Sequence, residues 1–154
     1  MQFETKIPVK KHLKKFIAHE TGRSELVLGT SNMYSAMFIV FFSRTRSHIN
    51  EQQLKADRSK WTSITVKFSM DDLKRRGFVV SYESVLLFNN IVEQQFRNLL
   101  LHNISLQKQL VNNFVMKDTI LSFFDGYGIT EEELKYDAIV KWVHRQNKKA
   151  PAKC

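Results

Sequence analysis

The clearest element that the hydrophobic pattern predicts is a strand at residues 61–69, WTSITVKFS, where apolar and polar side chains alternate. The apolar run MFIVFF at 37–42 predicts a second strand, covered on both faces. We expect these two strands to pair antiparallel across the polar segment 43–60. Alternation at 3–7 and the apolar segment 25–28 predict two shorter strands.

Helical periodicity explains most of the remaining sequence. The predicted helices cover residues 8–22, 70–76, 82–110, 114–125 and 131–147. Pro8 is expected to open the first of them, because its fixed backbone angle suits the first turn of a helix. In the longest helix, Leu99 and Leu106 are among the residues assigned to the buried stripe.

Together these elements predict an α+β fold, in which a small antiparallel sheet is packed by a long central helix and a C-terminal helical hairpin. Two helix starts have the spacing of a capping box: Ser69 with Asp72, and Thr130 with Glu133. A chain of 154 residues, of which 43% are hydrophobic, fits one core. We therefore expect a single domain at 1–147, followed by a flexible basic tail at 148–154.

Residues with catalytic or metal-binding chemistry form no recognisable site in the sequence. The five histidines are scattered, and none has a second ligand at helical spacing. Asp71 and Asp72 form a carboxylate pair, but their place in the first turn of a helix is explained by the helix dipole. We expect no enzyme activity, no metal and no cofactor.

The compartment is inferred from the cysteine content and the apolar runs. The one cysteine, Cys154, cannot close a disulfide within the chain. No charged and apolar leader of the secretory kind stands at the N-terminus, and the apolar run 36–42 is far shorter than the ~20 residues of a membrane helix. A soluble cytoplasmic protein without a membrane partner is the expectation.

The net charge of +9 is concentrated at the two ends of the chain. Residues 1–24 hold six basic and two acidic side chains, and residues 138–154 hold five basic and no acidic ones. Clustered positive charge attracts polyanions, because it neutralises phosphates and releases their counterions. Nucleic acid, with DNA favoured over RNA, is therefore the expected partner. The residues expected to contact it are Lys10, Lys11, Lys14, Lys15, Arg44, Arg46, Lys67, Lys141, Arg145, Lys148 and Lys149.

In the middle of the chain, the segment TSITVKFSMDDL joins an alternating strand directly to a capped helix. Gly77 separates that helix from a second one that begins SYES. This arrangement resembles the ribbon-helix-helix family of DNA-binding repressors. The resemblance implies that strands of two subunits pair in the major groove, where Ser63, Thr65 and Lys67 touch base edges. The alternative is a plain strand, paired within the sheet of its own chain.

Helices separated by a glycine turn at 114–147 also suggest a helix-turn-helix. A recognition helix presents its N-terminal residues to the bases, but here that end carries Glu131, Glu132 and Glu133, which phosphates would repel. We interpret this segment as a helical hairpin with a basic C-terminal extension.

Three longer segments are similar to small basic proteins of phages and mobile genetic elements. They read IPVKKHLKKFI, FNNIVEQQF and FFDGYGITEEELKYDAIVKWVHR. The resemblance implies a setting in a bacterial host or a virion, and no mechanism.

The sequence favours a non-enzymatic nucleic-acid-binding protein that acts as a regulator and contacts phosphate through its basic segments. The alternative is a structural or protein-interaction component of a virion or assembly, which docks a partner through an exposed apolar face of the long helix. A homodimer or another protein partner is also among the expected partners. A third hypothesis is dimeric, sequence-specific repression through Lys67 and its neighbours.

Overall fold

The computed structural model describes residues 1–43, 60–77 and 79–149. Most of the polar segment predicted at 43–60, and the end of the predicted tail at 150–154, therefore lie outside the described residues. The helices are α1 (Lys11–Thr21), α2 (Met33–Phe41), α3 (Met70–Arg76), α4 (Tyr82–Leu110), α5 (Met116–Tyr127) and α6 (Tyr136–Lys149). The strands are β1 (Gln2–Lys10), β2 (Glu25–Val27), β3 (Phe42–Ser43), β4 (Trp61–Ser69) and β5 (Val79–Val80). The predicted α+β class is confirmed.

The chain divides into two compact units, Met1–Gln94 and Gln95–Cys154. The first unit contains all of the strands named above together with α1, α2 and α3. The second contains α5 and α6. Helix α4 runs through the boundary, so that its residues up to Gln94 belong to the first unit and the later ones to the second.

The sheet of the first unit has three strands in the order β1-β4-β2. Strand β4 was predicted at its observed bounds, and its apolar residues Ile64, Val66 and Phe68 are buried as expected. It pairs antiparallel with β1 along nine residues and parallel with β2 along three. The sheet is therefore mixed. The short strands β3 and β5 form a separate antiparallel pair.

The predicted strand at 37–42 is wrong, because most of it lies in helix α2. The side-chain oxygen of Asn32 accepts a hydrogen bond from the backbone N–H of Ser35 at 2.8 Å, which caps the helix start. Phe38 is buried with its ring centroid 4.7 Å from that of Phe88, whereas Val40 is 79% exposed. An apolar run of this length does not distinguish a buried strand from a buried helix, and the cap at Asn32 decides it.

Pro8 does not open helix α1, contrary to the prediction. It lies within β1, opposite Ser63, and the helix starts only at Lys11. Because β1 is an edge strand, the missing N–H of Pro8 removes no bond of the sheet when it faces outward. The rest of the prediction holds, since the helix ends at Gly22 with φ of 68°.

One side chain closes the outer edge of β1 near its end. Asn89 of α4 accepts a hydrogen bond from the N–H of Lys10 and donates one to the carbonyl of Pro8, both at 3.1 Å. It also donates to the carbonyl of Val85 at 2.8 Å, and it is only 2% exposed. This amide, the Asn89 clamp, joins the sheet to α4 in the way that a neighbouring strand would.

A buried polar pair lies close to the clamp. Nε2 of His12, on α1, is 2.6 Å from a carboxylate oxygen of Glu93, on α4. Leu13, Phe16 and Ile17 of the same helix are fully buried, as their spacing predicted. The apolar side of α1 and this polar contact therefore hold α1 within the first unit.

The capping box of α3 is present as predicted. The hydroxyl of Ser69 accepts from the N–H of Asp72 at 3.2 Å, and the Asp72 carboxylate accepts from the N–H of Ser69 at 3.0 Å. The helix ends at Gly77, also as predicted, where φ is 81°.

In the second unit, the later half of α4 packs against α5. The ring centroid of Phe96 lies 5.5 Å from that of Phe123, and Leu100 and Ile104 continue the buried side. The prediction that Leu99 and Leu106 are buried is wrong, since they are 36% and 42% exposed. In this part of α4, apolar residues occur on two sides of the helix, and their spacing alone does not show which side is buried.

The C-terminal helical hairpin is confirmed, with different bounds. Helix α5 ends at Gly128, where φ is 68°. The N–H of Thr130 donates to the Glu133 carboxylate at 3.0 Å, but these residues form turns, and α6 begins at Tyr136. There the Tyr136 N–H donates to the carboxylate of Glu131 at 3.0 Å.

Replacing Asn89 by Ala removes the clamp and leaves the N–H of Lys10 and the carbonyl of Pro8 without their partner. We expect Asn89→Ala to lower the free energy of unfolding by about 2–4 kcal/mol, because each buried group that loses its bond costs about 1–3 kcal/mol. The neighbouring Asn90 is exposed, so Asn90→Ala is the matched control, with an expected change within about 0.5 kcal/mol. Urea unfolding followed by circular dichroism measures both, and equal losses would contradict the clamp.

Candidate nucleic-acid interface

Four basic side chains follow one side of α6. Lys141, His144, Arg145 and Lys148 lie at i, i+3, i+4 and i+7, the spacing that places residues on one face of a helix. They line a common shallow hollow at the surface, and each is exposed. We call these four residues the cationic face of α6. Lys149, the last residue of the helix, is exposed beside it.

The cationic face has no acidic counterpart in its own half of the helix. Glu131, Glu132 and Glu133 precede α6, and Asp137 lies in its first turn. From residue 138 to the last described residue of α6 there is no Asp or Glu. In the described part of the chain, neither Lys141, Arg145 nor Lys148 forms an ion pair. Their charges are therefore compensated by solvent and counterions.

The opposite side of α6 is anchored in the second unit. Ile139 and Val143 are fully buried. Trp142 is half-buried, and the guanidinium of Arg97, on α4, lies 4.8 Å from its ring centroid. Such a cation–π contact is worth about 0.5–2 kcal/mol. The anchored side fixes the rotation of the helix, and with it the direction of the cationic face.

One member of the cationic face, and one cation that helps to anchor the opposite side of α6, were not among the predicted contact residues. His144 completes the hollow, and the helical spacing from Lys141 was sufficient to include it. Arg97 adds a cation beside Trp142 from a different helix. No pattern in the sequence pairs Arg97 with Trp142, because their contact depends on tertiary packing.

The lysines near the N-terminus are placed differently. Lys11, Lys14 and Lys15 are half-buried on α1, on the side away from Leu13 and Phe16. Lys10 is the last residue of β1, where its N–H bonds to the Asn89 clamp. These side chains lie along the polar side of an amphipathic helix, and their exposed ends form its solvated face.

Lys67 is engaged within the sheet. Its Nζ lies 2.6 Å from a carboxylate oxygen of Glu25, on β2. The hydrogen bond that Lys67 donates to the Glu25 carboxylate, and then the charge of Glu25, raise the pKa of Lys67 above the ordinary value, and the charge of Glu4 adds to the effect. A lysine that is already paired has less to gain from a phosphate. The predicted contacts Arg44 and Arg46 lie outside the described residues.

The ribbon-helix-helix arrangement needs an edge on β4 for the strand of another subunit. Strand β1 pairs with all of β4 on one side, and β2 pairs with Thr65–Lys67 on the other. Thr65 and Lys67 therefore have strands on both sides within their own chain. The geometry favours the plain sheet strand over pairing of β4 with another subunit.

Other chemistry is limited among the residues that the structure describes. No group of three or more His, Cys, Asp or Glu side chains is arranged there to hold a metal ion. The backbone and hydroxyl hydrogen bonds from Ser69 lower the pKa of Asp72, in the opposite direction from the raised pKa of a carboxylic acid that donates protons near neutral pH. Within the same residues, no helix is both long and apolar enough to cross a membrane.

The Lys67–Glu25 pair can be tested through its titration. We expect Glu25→Gln to lower the pKa of Lys67 toward the ordinary value, because the hydrogen bond to a carboxylate and most of the nearby negative charge are lost. Because the folded-state pKa is raised, the pair stabilises the fold at neutral pH, and this stabilisation is lost as the pH rises through that pKa.

Titration of the Lys67 side-chain resonances by NMR measures this shift. Glu4→Gln is the matched control, and we expect it to lower the pKa of Lys67 by less, since Glu4 acts only through its charge. A pKa that is unchanged in Glu25→Gln would show that the pair does not hold in solution.

Comparison of the chain with protein-family models, curated proteins and solved structures finds no match.

Proposed function

We propose that this chain is a non-enzymatic nucleic-acid-binding protein that contacts the phosphates of DNA through the cationic face of α6. The observation that carries the proposal is the stripe of exposed cations on one helix side, without an ion pair among the described residues. Neutralising phosphates with such side chains releases condensed counterions, which is the main source of affinity in sequence-tolerant binding.

The spacing along the helix suits a phosphate backbone. Lys141 and Lys148 are seven residues apart, or about 10 Å along the axis at 1.5 Å per residue. The three permanent cations, Lys141, Arg145 and Lys148, lie within this length on one side of the helix, so their long, flexible side chains can reach neighbouring phosphates of one backbone.

The distribution of charge along α6 favours backbone contact over base reading. A recognition helix enters the groove with its N-terminal residues, but here that end is acidic, with Asp137 in the first turn. Phosphates would be repelled there and attracted at the basic end. Contacts of this kind position a protein on DNA without sequence information. Such binding would suit a regulator, and the resemblance to phage proteins adds only a setting in a bacterial host or a virion.

Lys11, Lys14 and Lys15 of α1 form a second, weaker candidate surface in the first unit. Their side chains are half-buried, so part of their length is used in packing. We expect them to add less to phosphate affinity than the cationic face does. They are tested separately below.

The decisive experiment measures affinity for a labelled duplex of about 20 base pairs, by fluorescence anisotropy, between about 50 and 200 mM salt. We expect the logarithm of the binding constant to fall linearly with the logarithm of the salt concentration. In Lys141→Gln/Arg145→Gln/Lys148→Gln the slope should be shallower by about 2–3, because each lost phosphate contact removes about 0.9.

The matched control removes the same charge from the same unit at other exposed sites, in Lys108→Gln/Lys117→Gln/Lys135→Gln. Either triple variant lowers the net charge from +9 to +6, but only the first alters the proposed surface. Lys11→Gln/Lys14→Gln tests α1, with an expected change of slope below about 1–2. Absence of duplex binding at low salt, or equal effects of the two triple variants, would refute the proposal.

A second candidate function is a protein-interaction component, and a specific observation favours it. Leu99, Leu106 and Leu110 lie on one side of α4 at i, i+7 and i+11, and they are 36%, 42% and 76% exposed. Large exposed apolar residues in a row are typical of protein contacts. Light scattering of Leu106→Gln/Leu110→Gln tests it: loss of an assembly that the wild-type chain forms without DNA would support this function.

A further inference from the structure

We propose that the outer edge of β1 binds the same edge of a second copy of this chain, antiparallel about Thr5. The contact would join two three-stranded sheets into one continuous sheet of six strands. It concerns Gln2–Lys6, which we call the open edge. This site is distinct from the cationic face of α6 and does not depend on nucleic-acid binding.

The Asn89 clamp shows which backbone groups of β1 point outward. Because the clamp binds the carbonyl of Pro8 and the N–H of Lys10 from α4, these groups point away from β4. In a strand, the backbone groups of every second residue point to the same side. The N–H and carbonyl groups of Gln2, Glu4 and Lys6 therefore also point outward.

A hydrogen bond on the far side of β4 gives the same result independently. The carbonyl of Lys67 accepts from the N–H of Leu28 at 2.8 Å, so it points toward β2. The backbone groups of Val66 then point toward β1, where Val66 lies opposite Thr5. Thr5 is thus bonded to β4, and its neighbours Glu4 and Lys6 present their groups to the outer edge.

The open edge is accessible in the first unit. Gln2, Glu4 and Lys6 are exposed, and among the described residues no strand or side chain bonds to their outward backbone groups. Unpaired edges of this kind are templates for another strand. At the other end of β1, the Asn89 clamp occupies the edge and Pro8 lacks an N–H, so pairing ends there.

Charge selects the occupant and its register. Outward groups must face outward groups, which permits antiparallel pairs centred on Phe3, Glu4, Thr5 or Lys6. Centring on Phe3 sets the uncharged Gln2 opposite Glu4, so that register gains no pair of opposite charges. Centring on Glu4 or Lys6 places like charges opposite each other, which is destabilising. Centring on Thr5 places Glu4 of each copy opposite Lys6 of the other. The short sequence Glu4-Thr5-Lys6 is therefore complementary to itself.

The neighbouring side chains agree with this register. On the same face of the sheet, Lys67 lies opposite Glu4 and is paired with Glu25, so Lys6 of the second copy would extend an alternating row of charges. On the other face, Phe3 would lie opposite Ile7 of the second copy. Four backbone hydrogen bonds would form, two for each pairing of Glu4 with Lys6.

Lysines and prolines on an edge also serve to prevent pairing. A lysine prevents pairing only if no opposite charge faces it when two edge strands meet. Here a glutamate two residues away supplies the match in one register, and Glu4 forms no ion pair within the described part of the chain. The charges of the edge therefore disfavour the pairings centred on Glu4 and Lys6 and favour the one centred on Thr5.

The test is the oligomeric state without nucleic acid, measured by light scattering and sedimentation from about 1 to about 500 µM protein, a range that covers weak association. We expect a monomer–dimer equilibrium. Lys6→Glu places Glu against Glu in both pairings and should weaken the dimer at least tenfold. Glu4→Lys should do the same with lysines. Circular dichroism confirms that each variant is folded.

Exchanging the two charges tests whether they act at this interface or only through the overall charge of the protein. The double variant Glu4→Lys/Lys6→Glu restores opposite charges in both pairings, so it should dimerise within about threefold of the wild type. A mixture of the two single variants should form a heterodimer that neither forms alone. Thr5→Cys, in a Cys154→Ser background, should cross-link as a dimer, since the two Thr5 residues face each other across the axis.

Three outcomes would overturn the proposal. A wild-type chain that stays monomeric over the whole range excludes the dimer. A dimer that is unaffected by Lys6→Glu but is lost in Leu106→Gln/Leu110→Gln lies on α4 instead. A double variant as weak as the single ones shows that the charges act elsewhere. Duplex affinity can survive or fail in each case, so this test and that of the proposed function are separate.

Discussion

The first unit depends on the amide of Asn89, which holds the end of an edge strand to a helix. It supplies one donor and one acceptor to β1, the same bonds that a neighbouring strand would supply, and it is almost fully buried. In an environment of low polarity these bonds must be made, because leaving Lys10 N–H and Pro8 C=O without them is costly. The clamp thereby fixes where β1 ends, where α1 begins, and which backbone groups remain outward.

Charged and polar groups need partners, and the basic residues of the chain differ in the partners that they have. Lys67 has a carboxylate at 2.6 Å and is satisfied within the sheet. The lysines of α1 use part of their length to cover a helix whose other side is fully buried. On α6 the acidic residues are confined to the beginning and the cations to the end, as the helix dipole favours. The helix dipole explains why the acidic residues lie at the start of α6 and the cations at its end. Its effect is confined to the last turn, however, whereas the cationic face extends over two turns on one side of the helix.

Much of the fold could be predicted from the sequence where a local signal and burial agree. Strand β4 alternates cleanly, and α3 has its own capping box, so both were located correctly. The run at 37–42 was misassigned, because a continuous apolar segment suits either element, and the deciding residue, Asn32, lies outside it. Pro8 is compatible with a helix start and with an edge strand, and only the position of β1 in the sheet distinguishes them. The stripe of α6 follows from spacing, whereas the contact of Arg97 with Trp142 and the pairing of Lys67 with Glu25 require tertiary packing.

The two proposed surfaces differ in what they ask of a partner. The cationic face presents side chains with long, flexible stems, which would fit any regular array of phosphates, so the proposed binding should be strong at low salt and independent of sequence. The open edge presents backbone groups at fixed positions, and the charges of Glu4 and Lys6 favour a single register for the proposed pairing. A weak dimer with such a register would bring two copies of each cationic surface onto one assembly. Linked sites raise the effective concentration of the second contact, so even weak pairing at β1 would strengthen binding to a long polyanion without any new contact to it.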